Sequence, residues 1–129
     1  MVLVIIGGAV GTWLRYAVGT WFGEHSWAKS FPYGTMVINV SGSFILGIVV
    51  AVVRMRLPPE SQYWYLLFGT GFCGGYTTFS TFEWETYQLV YEHKYLAAFS
   101  YVAGSVTAGF VAVALAIFLV DWLFPKATG

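Results

Sequence analysis

Charged positions punctuate this chain, and the stretches between them are apolar. Arg15 stands alone within residues 1–23, and Glu24 and Lys29 follow. Residues 30–53 carry no charge, and Arg54, Arg56 and Glu60 form a polar break around Pro58 and Pro59. Residues 61–82 are again free of charge before Glu83, Glu85, Glu92 and Lys94. Residues 95–120 form the last such run, closed by Asp121 and Lys126. A bilayer core needs about 20 mainly apolar residues per crossing helix. The pattern therefore predicts four transmembrane helices, near 2–22, 34–53, 62–92 and 96–124. The first does not read as a cleavable signal peptide: it lacks a basic leader, and Arg15 interrupts its apolar stretch. Trp13, Trp21, Trp27, Trp64, Trp84 and Trp122 fall mostly near span ends, where amphipathic rings anchor a protein at the interface. With Trp27 and Phe31, loop 23–33 is suited to lie on the membrane surface.

Composition sharpens this picture. Of 129 residues, 58% are hydrophobic and 9% charged, against about 25% charged in soluble domains. Such a chain is neither disordered nor, with balanced charge, a nucleic-acid binder. The expected fold is an all-α integral membrane protein forming a single domain over residues 1–129. The lone Cys73 excludes a disulfide within one chain and a cysteine-based zinc site. Orientation is poorly encoded. Arg54, Arg56 and Lys126 on one side face Lys29 and Lys94 on the other, almost no bias for a rule that depends on Lys/Arg excess. Either another feature orients the chain, or both orientations insert and a copy pairs with its inverted partner.

The third segment, Tyr63 to His93, is too long for one perpendicular span. Its middle places Gly74 and Gly75 beside Thr77 and Thr78, poor residues for a helix interior. An interruption near Gly74–Thr78 is expected. Unwound backbone at membrane depth survives only where protein or a water-filled cavity satisfies it, and such breaks commonly mark ion sites. After the break, Phe79 and Phe82 are three apart and share a helix face, with Ser80 and Thr81 beside them. Ordinary packing accounts for each of these residues singly; their density in one stretch favours a site.

Other polar groups lie within the spans. Asn39 can donate two hydrogen bonds, as interhelical glue or to an anion. Arg15 is an intramembrane ionisable residue. It reads as a structural or vestibule group, either paired with Glu83 or Glu85 or meeting backbone carbonyls at a helix end. Gly7-x-x-x-Gly11 is a close-packing motif. Tyr101, Ser105 and Gly109 form one stripe on the last helix, polar for two turns. No metal-hydrolysis set, phosphate loop or nucleophile elbow is present in the sequence, and His25 and His93 lie near loops. An enzyme is not expected.

Three stretches together resemble the Fluc (CrcB) family of fluoride channels. They are Gly7-Gly8-Ala9-Val10-Gly11-Thr12-Trp13-Leu14-Arg15-Tyr16; Gly34-Thr35-Met36-Val37-Ile38-Asn39-Val40-Ser41-Gly42-Ser43-Phe44; and Gly71-Phe72-Cys73-Gly74-Gly75-Tyr76-Thr77-Thr78-Phe79-Ser80-Thr81-Phe82. The third is the most specific. The resemblance implies an antiparallel, dual-topology homodimer with two fluoride pores in a bacterial inner membrane. It implies a structural Na⁺ at the dimer centre, held by the backbone carbonyls of Gly74 and Thr77 from both chains. By the same resemblance, Phe79, Phe82 and Asn39 line the pore, and Ser80 and Thr81 lie near the fluoride path. Tyr101 and Ser105 begin a polar track, and Arg15 and Glu85 match structural or vestibule positions. Gly109 departs from the track, where a hydroxyl is expected.

The implied task is physically coherent. Fluoride is small and strongly hydrated, so amide and hydroxyl donors must replace its water. Phenylalanine edges are the positive side of the ring, and aromatic walls narrow the path against larger halides. A buried Na⁺ raises the local positive potential, and carbonyl oxygens suit a hard cation. The competing readings are a small multidrug-type dual-topology transporter, a non-transporting assembly subunit and a fluoride–proton antiporter. The first needs a membrane-embedded carboxylate, and the first three spans hold no mid-span acid before Glu83.

Overall fold

The structure, a computed structural model, describes residues 1–125, the side chain of Ser26 excepted. Lys126, counted above in the charge balance, lies outside the described residues. Within them every regular element is helical. Helix α1 spans Val2–Glu24, and a short 3₁₀ turn, Ser26–Ala28, leads to α2, Tyr33–Val49. The end of α2 widens into a π-helical turn, Val50–Arg54. A second 3₁₀ turn, Pro59–Ser61, precedes a π-helical segment, Tyr65–Cys73, which tightens into α3, Gly74–Tyr76. Helix α4 spans Phe79–Tyr91, and α5 spans Tyr95–Leu123. Three helical stretches, Val2–Glu24, Tyr33–Arg54 and Tyr95–Leu123, are long and apolar enough to cross a membrane.

The third predicted segment is broken, as its composition implies, but the glycines are not where it breaks. Gly74 is helical (φ −63°, ψ −36°), and the extended residues are Thr77 (φ −79°, ψ 159°) and Thr78 (φ −149°, ψ 118°). The helix ends at Thr78, whose N–H leaves the helical ladder and whose hydroxyl starts the next helix, while Thr77 still closes the last turn. The Thr77 N–H and Oγ1 both donate to the Cys73 carbonyl, at 3.0 and 2.8 Å. Thr78 caps α4, its hydroxyl oxygen accepting from the Thr81 N–H at 3.3 Å.

The glycines serve close approach instead. A Cβ on Gly7 would lie 2.1 Å from the Leu67 carbonyl oxygen, on Gly11 2.2 Å from that of Phe72, and on Gly75 2.4 Å from that of Gly8. Backbone therefore meets backbone, and α1 runs in the same direction as the π segment and α3. Helices α2 and α5 are likewise parallel and in register. Met36 lies beside Gly104, Ser43 beside Gly109, and Gly47 against Ala116. Small residues allow this where packing, not hydrophobicity, drives helix association.

At one end of the molecule Arg56 ties the loop to α5. Its guanidinium pairs with Asp121 and donates to the Ala51 carbonyl at 2.6 Å and the Phe124 carbonyl at 3.3 Å. At the other end, Trp21, Phe22, Trp27 and Tyr33 form a cluster of edge-on and tilted rings around the 23–33 loop. Outward-facing residues of α1 and α5 are large and apolar, among them Ile5, Trp13, Phe99, Phe110 and Phe118, a surface suited to lipid rather than water.

Candidate functional site

The break at Thr77–Thr78 is the centre of the site, and its exposed backbone groups are met by side chains from two other helices. Asn39, on α2, clamps Thr78 at both ends of its peptide groups. The Asn39 Nδ2 donates to the Thr78 carbonyl at 3.0 Å, and Oδ1 accepts from the Thr78 N–H at 2.8 Å. From α1, Arg15 Nη1 donates to the Thr77 carbonyl at 3.2 Å. Thr12 Oγ1, one turn earlier, donates to the Gly75 carbonyl at 3.4 Å. The requirement that unwound backbone be satisfied by protein is met residue by residue. Of the partners open to Arg15, the helix-end carbonyl is the one found, not Glu83 or Glu85.

These bonds leave specific groups unspent. Asn39 uses one of its two amide hydrogens on Thr78 and retains the other. The Thr78 N–H, which would continue the helix by bonding the Gly74 carbonyl, is turned to Asn39. Around the break lies a cavity of about 380 Å³, lined by Asn39, Ser43, Gly74, Thr77 and Phe79 among others. A Cβ added to Gly74 would meet nothing within 4 Å. Gly74 and Thr77 both line this open space, and backbone carbonyl oxygens are the hard donors that an alkali cation takes. Among the described residues no group of three or more His, Cys, Asp or Glu side chains is placed to hold a metal, so a cation here would rely on backbone oxygen.

A second polar cluster lies below the break. The Glu85 carboxylate accepts from Thr35 Oγ1 at 2.8 Å and from the Tyr101 hydroxyl at 2.6 Å. Tyr101 is fully buried, with the Phe82 ring at 4.9 Å and the Phe31 ring at 5.5 Å between centroids. Phe82 and Phe79 lie 6.0 Å apart, sharing a face as their spacing predicts. Their surroundings differ: Phe82 is 7% exposed and Phe79 74%. Ser80 and Thr81 are exposed on the first turn of α4, and Thr81 Oγ1 accepts from the Thr78 hydroxyl at 3.0 Å. Ser105, one turn beyond Tyr101 on α5, is buried, and its hydroxyl has no hydrogen-bond partner.

Sequence reasoning did not single out Thr35 or Thr12. Thr35 lies four residues before Asn39, on the same face of α2, and that spacing was the available signal. Thr12 stands one turn after Gly8 within the glycine-rich face, a position with no independent mark. Tyr76 was also unremarked; its hydroxyl meets Ser41 Oγ at 3.0 Å and fastens α3 to α2.

Comparison with known proteins places this architecture. A family model described as CrcB-like protein, Camphor Resistance (CrcB), matches residues 2–117. A Solibacter usitatus protein named fluoride-specific ion channel FluC is 47% identical over 111 residues, 86% of this chain and 89% of that protein. A Synechococcus protein of the same name is 42% identical over 90% of this chain and 88% of its own length. A Listeria innocua protein named fluoride-specific ion channel FluC 1 is 41% identical over 91% and 93%. These relatives bear the name of a channel and not of an enzyme, and with the family model covering most of its length, the chain belongs to the CrcB family.

Proposed function

We propose that this chain is a fluoride-selective channel, through which fluoride crosses a bacterial inner membrane passively. The observation that carries the anion-conducting reading is Ser105, a buried hydroxyl with no partner next to the Tyr101–Glu85 pair. A buried donor without an acceptor is rare and calls for an explanation. A permeant anion is the acceptor that explains it. The relatives' printed names supply the identity of the anion, and the unspent Asn39 amide hydrogen supports it.

In this reading the chain is a single domain of four membrane crossings, the broken third segment making one of them. Two copies pair antiparallel, consistent with the near-equal Lys/Arg on either side. Phe79, exposed in one copy, is then available to a pore shared with the other. Fluoride passes from Asn39, Ser80 and Thr81 along the edges of Phe79 and Phe82 to Tyr101 and Ser105. Arg15 holds the Thr77 carbonyl and adds positive charge beside the path, and Glu85 fixes Tyr101 and Thr35. A Na⁺, when bound, would be held by the Gly74 and Thr77 carbonyls of both copies and would contribute positive charge at the centre. That Gly74 and Thr77 both line the cavity at the break supports this assignment. The reading predicts that expression of the chain lets a fluoride-sensitive bacterium grow in fluoride. No protection by protein that reaches the membrane would oppose it.

A further inference from the structure

Two stripes of polar positions face one another across the parallel pair α2 and α5. On α2 they are Thr35, Asn39 and Ser43, and on α5 Tyr101, Ser105 and Gly109, each set spaced by four residues and so by about 6 Å along its helix. At the first level, Thr35 and Tyr101 both donate to Glu85. At the second, Asn39 keeps an amide hydrogen and Ser105 keeps its hydroxyl. At the third, α5 offers only Gly109, which carries no donor.

Ser43 stands where that donor is missing. Its Oγ lies 3.5 Å from the position a Cβ on Gly109 would take, and Ser43 lines the same cavity as Asn39, Thr78 and Phe79. Its neighbour Ser41 spends its hydroxyl on the Val37 carbonyl at 2.6 Å and on Tyr76. We infer that the Ser43 hydroxyl is a fluoride-contacting donor, supplying from α2 the third level of a ladder that α5 leaves empty at Gly109. The inference rests on the channel reading and extends it. An ion as strongly hydrated as fluoride cannot pass an apolar level without losing solvation, so a donor is needed from one helix or the other.

The geometry sets up an exchange test. Serine at position 109 fits, because its Cβ would make only an ordinary contact with Ser43. Fluoride efflux from liposomes is compared for wild type, Ser43→Ala, Ser43→Cys, and Ser43→Ala combined with Gly109→Ser or Gly109→Ala. Chromatographic profile and melting temperature are followed for each variant. Ser43→Ala should lose about tenfold in fluoride flux, the scale of one hydrogen bond to a charged group, with Ser43→Cys also reduced. Gly109→Ser should restore most of the flux to Ser43→Ala, and Gly109→Ala should not. Wild-type flux in Ser43→Ala overturns the inference. So does equal rescue by Gly109→Ala, or rescue by neither, since either result makes Ser43 a packing residue. Absence of flux in the wild type would instead defeat the channel reading on which the inference stands.

Discussion

Asn39 provides the sharpest stability prediction, because its amide satisfies two backbone groups at once. Replacing it with alanine leaves the Thr78 N–H and carbonyl, now bonded at 2.8 and 3.0 Å, without partners in a half-buried site. An unsatisfied buried backbone group costs about 1–3 kcal/mol, so two cost roughly 2–6 kcal/mol; side-chain hydrogen bonds within membranes average nearer ~0.6 kcal/mol each, which sets a floor of about 1 kcal/mol. Asn39→Asp separates the two bonds. It keeps an acceptor for the Thr78 N–H but places a carboxyl oxygen against the Thr78 carbonyl, so it should fall between wild type and Asn39→Ala in stability. Thermal unfolding of purified protein in detergent, read by loss of the monodisperse chromatographic peak, measures the order. Asn39→Ala should melt lower by roughly 5 °C or more. Asn39→Asp should abolish fluoride flux while dimers persist. An Asn39→Ala variant that melts with wild type would refute the claim that this amide holds the broken backbone.

Three further outcomes follow from particular contacts. Gly75→Ala forces a Cβ to 2.4 Å from the Gly8 carbonyl oxygen and should yield little folded protein, whereas Gly19→Ala, with nothing within 4 Å, should be neutral or slightly stabilising in yield and melting temperature. Tyr101→Phe removes the hydroxyl donated to Glu85 at 2.6 Å, a charge-assisted bond, and should lower stability by about 1.5–3 kcal/mol and reduce fluoride efflux. Unchanged unfolding would mean that the pair is not held in the membrane. Phe79→Ile changes a residue 74% exposed in one copy, so it should leave unfolding unaltered and abolish fluoride efflux; full efflux would remove Phe79 from the mechanism.

Much of this arrangement is legible in the sequence because membrane helices must satisfy their own backbone and span a fixed thickness. The apolar runs, charge-free but for Arg15, therefore mark α1, α2 and α5 directly, and the overlong third run requires an interruption. The glycines were the visible sign of it, yet they remain helical. They mark backbone contact with α1, a property of the neighbour that composition does not carry. The break at Thr77 and Thr78 is held because Asn39 and Arg15 supply partners from α2 and from α1, and such partners are known only once the helices are packed. The same holds for Arg15. Its position in a span marks it as consequential, but the choice of the Thr77 carbonyl over Glu85 is made by the register of α1 against α3. Phe79 and Phe82 share a face by spacing alone, while their unequal burial depends on Tyr101, 22 and 19 positions further on. The π-helical winding of Tyr65–Cys73 has no distinguishing residue pattern; it accompanies the Tyr65 ring lying where a side chain on Gly69 would stand.

The central claim, that this chain conducts fluoride selectively, is tested most directly by reconstituting purified protein into liposomes loaded with fluoride and, separately, chloride. Efflux is read with ion-selective electrodes after a potassium ionophore relieves the charge imbalance, with no pH gradient imposed. The account predicts fast fluoride loss with chloride retained. No fluoride loss through folded, dimeric protein would contradict it, as would fluoride loss that requires a proton gradient or is matched by chloride.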